Sequence, residues 1–173
     1  KGKTTEVWKS LLEEFDIQSL FFNKDYEPFA IKRDIAICSL LKENSIKCFP
    51  YKDHVIFEEK EITKSDGLPY TIYTPYKNKW LEKYHFSGAA IEYDSSSFQS
   101  NFIKSQFTFP ELSEIGFDRS TIKVLPHNLT QIANYKETRD YPALDSTSYL
   151  SPHLRFGTVS IRKLVNWANR KNQ

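Results

Sequence analysis

An incomplete α/β domain, then a long connection, then a few short helices: that is the architecture these 173 residues predict. Two patterns carry the prediction. Over residues 1–84, short apolar runs alternate with segments of helical periodicity, as in a parallel sheet with crossover helices. From His85 to Asp118 the periodicity is lost, and it returns only in shorter stretches over residues 119–173. The boundaries are accordingly placed at 1–84, 85–118 and 119–173.

Taken in order, Val7, Trp8, Leu11, Leu12 and Phe15 share one helical face over Thr4–Phe15, with Thr4 or Thr5 as the cap and Glu6 in the first turn. Ser19-Leu20-Phe21-Phe22 is a short apolar run of the kind found in buried parallel strands. A second helix follows Pro28, with Ile31, Ile35, Cys38 and Leu41 at helical spacing. Ile46–Tyr51 and His54–Phe57 are candidate strands, so this domain reads as the tail of a sheet that lacks partners. Tyr70–Thr74 is extended, and Pro75 suits the first position of a helix carrying Lys77, Lys79, Trp80 and Leu81.

The stretch from His85 to Asp118, with Ser95-Ser96-Ser97, scattered aromatics and Pro110, is a linker. A structureless passage of that length fits an interdomain connection better than a loop within a compact domain. Leu129–Glu137 is a predicted helix that stops before the Asp140-Tyr141-Pro142 turn. Ser160 caps a last helix whose apolar face includes Leu164, Val165 and Trp167.

Net charge is only +2, yet from Ser120 onward eight Lys and Arg stand against three Asp and Glu, a balance of +5. The basic C-terminal third either faces phosphate or forms a solvated helix face, the more common outcome for Lys and Arg. Cys38 and Cys48, ten apart with no CxxC and no accompanying histidines, read as reduced core residues of a protein in a reducing, cytoplasmic compartment. No apolar run approaches a membrane span, and no secretory signal is visible. His54, His85, His127 and His153 have no metal-ligand spacing, and no Ser or Cys sits in a nucleophile motif, so hydrolytic and metal chemistry have little support. The chain begins at Lys1 and contains no methionine, which fits a piece of a longer protein.

The densest chemistry lies in Tyr141–Gly157, YPALDSTSYLSPHLRFG. Thr147, Ser148 and Ser151 place three hydroxyls within five residues. Ser151 suits an N-cap, Pro152 the first helical position, and Gly157 a left-handed stop. The unpaired N–H groups of such a helix start favour a phosphate or pyrophosphate.

This run resembles the flavin-phosphate segment of the DNA photolyase and cryptochrome family, with its Thr-Ser-x-Leu-Ser followed by Pro-x-Leu-x-Phe-Gly. Tyr135 and then Arg139-Asp140-Tyr141-Pro142-Ala143 stand upstream at the family's spacing, and Val159-Ser160-Ile161-Arg162 continues it downstream. Asn23-Lys24-Asp25-Tyr26-Glu27-Pro28-Phe29-Ala30, with Arg33-Asp34 after it, is similar to a second family segment. Gly67-Leu68-Pro69-Tyr70-Thr71-Ile72-Tyr73-Thr74-Pro75-Tyr76-Lys77, with Trp80, is similar to the family's strand-to-linker passage.

The resemblance implies a middle portion of a photolyase: the end of a Rossmann-like antenna domain, a wrapping linker, and the first helices of an all-α domain that binds flavin adenine dinucleotide (FAD). By position, Tyr135, Thr147, Ser148, Tyr149, Leu150 and Ser151 inherit the FAD contacts. Ser146 and Tyr149 depart from the family's usual Gly and basic residue, which favours a backbone contact at Tyr149 over a side-chain one. Asp25, Tyr26 and Glu27 correspond to a region facing an antenna chromophore, a folate or a deazaflavin; on local physics alone Asp25 and Glu27 cap the helix at Pro28.

Arg139 corresponds to a residue at the mouth of the lesion pocket, near DNA; as a surface residue it would pair with Asp140 or Glu137. Arg155 and Arg162 are assigned to helix carboxylates or the flavin site, not to DNA. The implied activity of the full-length protein is that of a carbon-carbon lyase repairing cyclobutane pyrimidine dimers in ultraviolet-damaged DNA. None of its catalytic residues falls within this chain. The alternatives are a cryptochrome-like photoreceptor and a generic nucleotide-binding α/β module. The half sheet is expected to drive dimerisation or disorder.

Overall fold

The computed structural model describes residues 1–88, 90–104 and 107–171. The chain forms two compact units, Lys1–Tyr76 and Lys77–Gln173. The first contains α1 (Thr4–Glu14), β1 (Ser19–Asn23), α2 (Pro28–Glu43) and β2 (Lys47–Tyr51). The division falls inside α3 (Tyr73–Ser87), and the second unit continues with α4 (Tyr135–Thr138), α5 (Leu150–Arg155) and α6 (Ile161–Lys171).

β1 and β2 pair in parallel, with Ser19 opposite Lys47 and Asn23 opposite Tyr51, as the strand–helix–strand order requires. Phe21 and Phe49 face each other across this ladder with rings stacked at 4.8 Å, yet Phe21 stays 62% exposed. Such a face is an apolar surface without a covering layer. α2 packs against both β2 and α1, and its Ala30, Ile37 and Leu41 are buried, Leu41 completely. Ile31 and Ile35, predicted on the core face, are exposed instead. Leu41, on the same predicted face, is buried as expected; Ala30, Ile37 and Leu41 satisfy helical spacing as well as Ile31, Ile35 and Cys38 do.

α2 ends with Ser45 in the left-handed region at φ 62°. The Ile46 N–H returns to the Leu41 carbonyl at 2.9 Å, a six-to-one closure that ties the helix end to its most buried residue. That turn brings the chain back alongside β1, so Cys38 on α2 lies over Cys48 on β2 with Cα atoms 5.7 Å apart. The two form a disulfide, which corrects the expectation of reduced thiols. Spacing along the chain did not reveal the pairing because it arises from the packing of a helix on a strand.

Other expectations change in detail. α1 follows Lys3 with no side-chain cap, so neither Thr4 nor Thr5 caps it. His54–Phe57 forms no strand, and among the described residues the sheet has two strands. That segment turns instead, as the Glu58 N–H donates to the Glu61 carboxylate at 2.7 Å and Ile56 is buried. α3 begins at Tyr73, two residues before Pro75, which fits within a first turn because its missing N–H is not needed there. Thr130–Asn134 is a 3-10 helix followed by the single turn of α4, where one continuous helix was predicted. Between Ala90 and Leu129 the described residues include no α-helix or strand; the 3-10 helix Ser95–Asn101 is capped by Asp94, whose carboxylate accepts the Ser96 N–H at 2.9 Å.

Candidate functional site

In the first unit, the carboxyl end of β1 carries a polar cluster. The Asp25 carboxylate accepts N–H groups from Tyr26 at 2.7 Å and Glu27 at 3.3 Å. The Glu27 bond leads the two in holding its pKa below the ordinary 3.8. Asp25 therefore closes the turn ahead of α2, and Glu27, the residue before the helix, makes no side-chain cap. The Tyr26 hydroxyl donates to Glu58 at 2.9 Å, and Lys24 pairs with the same carboxylate oxygen.

Lys24 is the main reason the Glu58 pKa is lowered. Burial, together with the Glu58 carboxylate, pushes the Tyr26 phenol well above its usual 10.0. His54 sets its ring edge on Tyr26 at 5.2 Å and places Nε2 4.0 Å from Asp25. Beside the cluster lies a hollow of about 230 Å³, walled by Phe22, Ile31, Ile35, Cys38 and Pro50 with Lys24 and Asp25 at its polar side. The outward-turned Ile31 and Ile35 thus line a concave apolar surface at the carboxyl edge of a parallel sheet, the usual place for a ligand in open α/β folds. Glu58, which organises the cluster, went unnoticed in the sequence because it stands 32 residues from Tyr26.

In the second unit, Thr147, Ser148, Tyr149, Leu150 and Ser151 run into α5. The helix begins at Leu150, so Tyr149, not Ser151, is the N-cap, and it sits at φ 54°, ψ 23°. Ser151 lies exposed in the first turn. A left-handed residue at the helix start is unusual for a bulky side chain. The Tyr149 phenol donates to Asp145, four residues earlier. That bond raises the phenol's pKa, while a hydrogen bond from Thr147 acts in the opposite sense. The Ser148 carbonyl accepts the Asn128 N–H at 2.8 Å.

Gly157, at φ 64°, stops α5 as expected, and Ser160 Oγ accepts the Lys163 N–H at 3.4 Å as the cap of α6. Tyr135 opens α4 and is exposed; among the described residues no hydrogen bond joins it to Thr147–Ser151. Arg139 Nε lies 3.5 Å from the Asp140 carboxylate, both side chains exposed.

His153 does more than its sequence position suggests. Its Nε2 lies 2.9 Å from the Leu125 carbonyl and its Nδ1 2.9 Å from the Thr158 hydroxyl. A carbonyl only accepts, so Nε2 carries a proton and donates it to Leu125. His127 packs edge-on against its ring at 5.2 Å. Asn166 on α6 donates to the Ala90 carbonyl at 2.8 Å and the Glu92 carboxylate at 2.9 Å. Neither residue stood out in the sequence, because each fastens segments many positions away. Among the described residues no three His, Cys, Asp or Glu side chains could hold a metal ion, and no helix is long and apolar enough to cross a membrane.

Residues 1–95 match the family model described as DNA photolyase, more than half of the chain, and the chain belongs to that family. It is 27% identical over 179 residues to a deoxyribodipyrimidine photo-lyase of Alkalihalophilus pseudofirmus, covering 94% of this chain and 37% of that protein. It is 26% identical over 180 residues to the photo-lyase of Halobacterium salinarum, covering 96% and 37%. Cryptochrome-1 of Arabidopsis thaliana is 25% identical over 197 residues, covering 99% and 29%. The chain thus spans a little over a third of the length of the two photo-lyases. Its fold is similar to that of a bacterial class III photolyase from Agrobacterium tumefaciens, with a TM-score of 0.65 at 20% identity, covering 93% of this chain and 36% of that one.

Proposed function

We propose that this chain is part of a deoxyribodipyrimidine photolyase, a lyase that uses light to split cyclobutane pyrimidine dimers in damaged DNA. The observation that carries the reading is likeness to photo-lyases across more than nine-tenths of the chain, with the hydroxyl-rich run Thr147–Ser151 leading into α5. In this reading residues 1–84 end the antenna domain, 85–118 are the interdomain linker and 119–173 begin the FAD-binding domain.

The donor set fits a flavin pyrophosphate. Thr147 and Ser151 are exposed, Ser148 is half-buried, and the first N–H groups of α5 have no intrahelical partner. Thr147, Ser148 and Ser151 offer hydroxyls, Tyr149 and Leu150 offer backbone N–H groups, and Tyr135 packs beside the cofactor. The Tyr149 phenol is held by Asp145, so a backbone contact there costs no rearrangement. Reduced FAD, when bound, supplies the photoexcited electron that opens the cyclobutane ring and takes it back. The chain's own part is to bind the phosphates and fix their position.

Arg139 meets the DNA backbone, exchanging its exposed Asp140 partner for a phosphate at little cost. The hollow lined by Lys24 and Asp25, with Tyr26 and Glu27 next in the chain, takes the flat ring of a folate or deazaflavin antenna. The uncovered Phe21 face makes this chain alone self-associate. Illumination of the full-length, reduced, FAD-loaded protein with dimer-containing DNA tests the function. Loss of dimers in the light and not in the dark is expected. Flavin photoreduction that leaves dimers intact would select the photoreceptor reading instead.

A further inference from the structure

The second unit holds a groove of about 580 Å³ between α6 and the segment that carries His127. Thr147–Ser151 are not among its lining residues, although the Ser148 carbonyl holds the Asn128 N–H between His127 and Leu129 of its wall. One face of α6 supplies its floor: Ser160, Lys163, Trp167 and Arg170 recur at intervals of three or four and all line the groove. The opposite walls are fixed by hydrogen bonds. Asn166 holds Glu92 at 2.9 Å. His153 holds the Leu125 carbonyl at 2.9 Å and packs on His127 at 5.2 Å. The groove is therefore built, with a half-buried indole between two exposed cations and a carboxylate at the rim.

We propose that this groove binds a nucleotide, its base stacked on Trp167 and its phosphate held by Lys163 and Ser160. Lys163 precedes Trp167 by four residues, about 6 Å along the helix, a separation matching that of phosphate and base within one nucleotide. The start of α6 adds its positive dipole end to the phosphate subsite. Arg170 stands one turn beyond Trp167, where it meets the phosphate of a following nucleotide. Glu92 accepts a hydrogen bond from an exocyclic amine. An aromatic platform flanked by cations is also how proteins hold single-stranded nucleic acid without reading its sequence. The ligand chemistry is shared by a free mononucleotide and by one residue of a strand.

Calorimetric titration of the full chain with adenosine monophosphate, inorganic phosphate and a short oligothymidylate tests the proposal. Adenosine monophosphate should bind at least tenfold more tightly than phosphate alone, because stacking adds to charge. Lys163→Glu, an exposed change that leaves the fold intact, should weaken binding about tenfold. Trp167→Ala should weaken it by a similar factor, with its far-ultraviolet circular dichroism unchanged. Tighter binding of the oligonucleotide assigns the groove to a nucleic-acid strand, and equal binding assigns it to a free nucleotide. The proposal is overturned if neither nucleotide ligand binds, if phosphate matches adenosine monophosphate, or if Lys163→Glu binds as the parent does.

Discussion

The phenol of Tyr149 donates to the carboxylate of Asp145 across the turn that starts α5, where the Tyr149 backbone is left-handed at φ 54°. The bond favours the protonated phenol, so its pKa lies above 10.0. A raised pKa means that the contribution is complete below the ordinary value and is lost as pH climbs through the folded one. Asp145→Ala should return one tyrosine to ordinary ionisation in an alkaline titration of tyrosinate absorbance. An unchanged titration curve would show that the bond does not form in solution.

The Lys24–Glu58–Tyr26 cluster gives the first unit an acid-sensitive element. Glu58 titrates below its usual 4.5 in the folded chain. Its contribution is full above that value and fades as pH falls through the lowered pKa. Glu58→Gln should cost about 1 kcal/mol at neutral pH and flatten the acid limb of stability measured by urea unfolding from pH 6 down to about 3. A parallel acid limb in both proteins would contradict the assignment.

Leu41 is the most deeply buried side chain and anchors the end of α2. Leu41→Ala should destabilise the chain by about 2–5 kcal/mol, read from the denaturant midpoint at constant slope. Ile35→Ala, on the exposed face of the same helix, should cost well under half of that.

The Cys38–Cys48 disulfide closes a loop with a sequence separation of 10. A loop of that length constrains the unfolded chain by about 3 kcal/mol. Reduction should lower the unfolding midpoint accordingly, and alkylation of the denatured, unreduced chain should find no free thiol. Two alkylated cysteines would show the thiols to be reduced.

Local signals were legible where neighbours in sequence do the work. The α/β alternation follows from Leu20 and Phe22 ahead of a Pro28 start, and Ser160 and Gly157 act as cap and stop. The motif residues Asp25 and Tyr26 lie at the end of β1, where their spacing puts them. What escaped the sequence depends on tertiary neighbours. Ile31–Ile35–Cys38 and Ala30–Ile37–Leu41 are equally periodic, and only the position of β2 decides which is buried. Glu58 reaches Tyr26 across 32 residues, and His153 reaches Leu125 across 28. Ser151 lost the cap because Tyr149 accepted a backbone conformation that sequence rules assign to glycine or asparagine.

Whether Thr147, Ser148 and Ser151 grip the flavin phosphates is read most directly from FAD affinity in the full-length protein with all three changed to alanine. Each hydrogen bond to a charged phosphate carries roughly 1.5–3 kcal/mol, so the triple variant should bind FAD at least tenfold more weakly while remaining folded. FAD affinity equal to that of the parent would place the phosphates elsewhere and contradict the assignment.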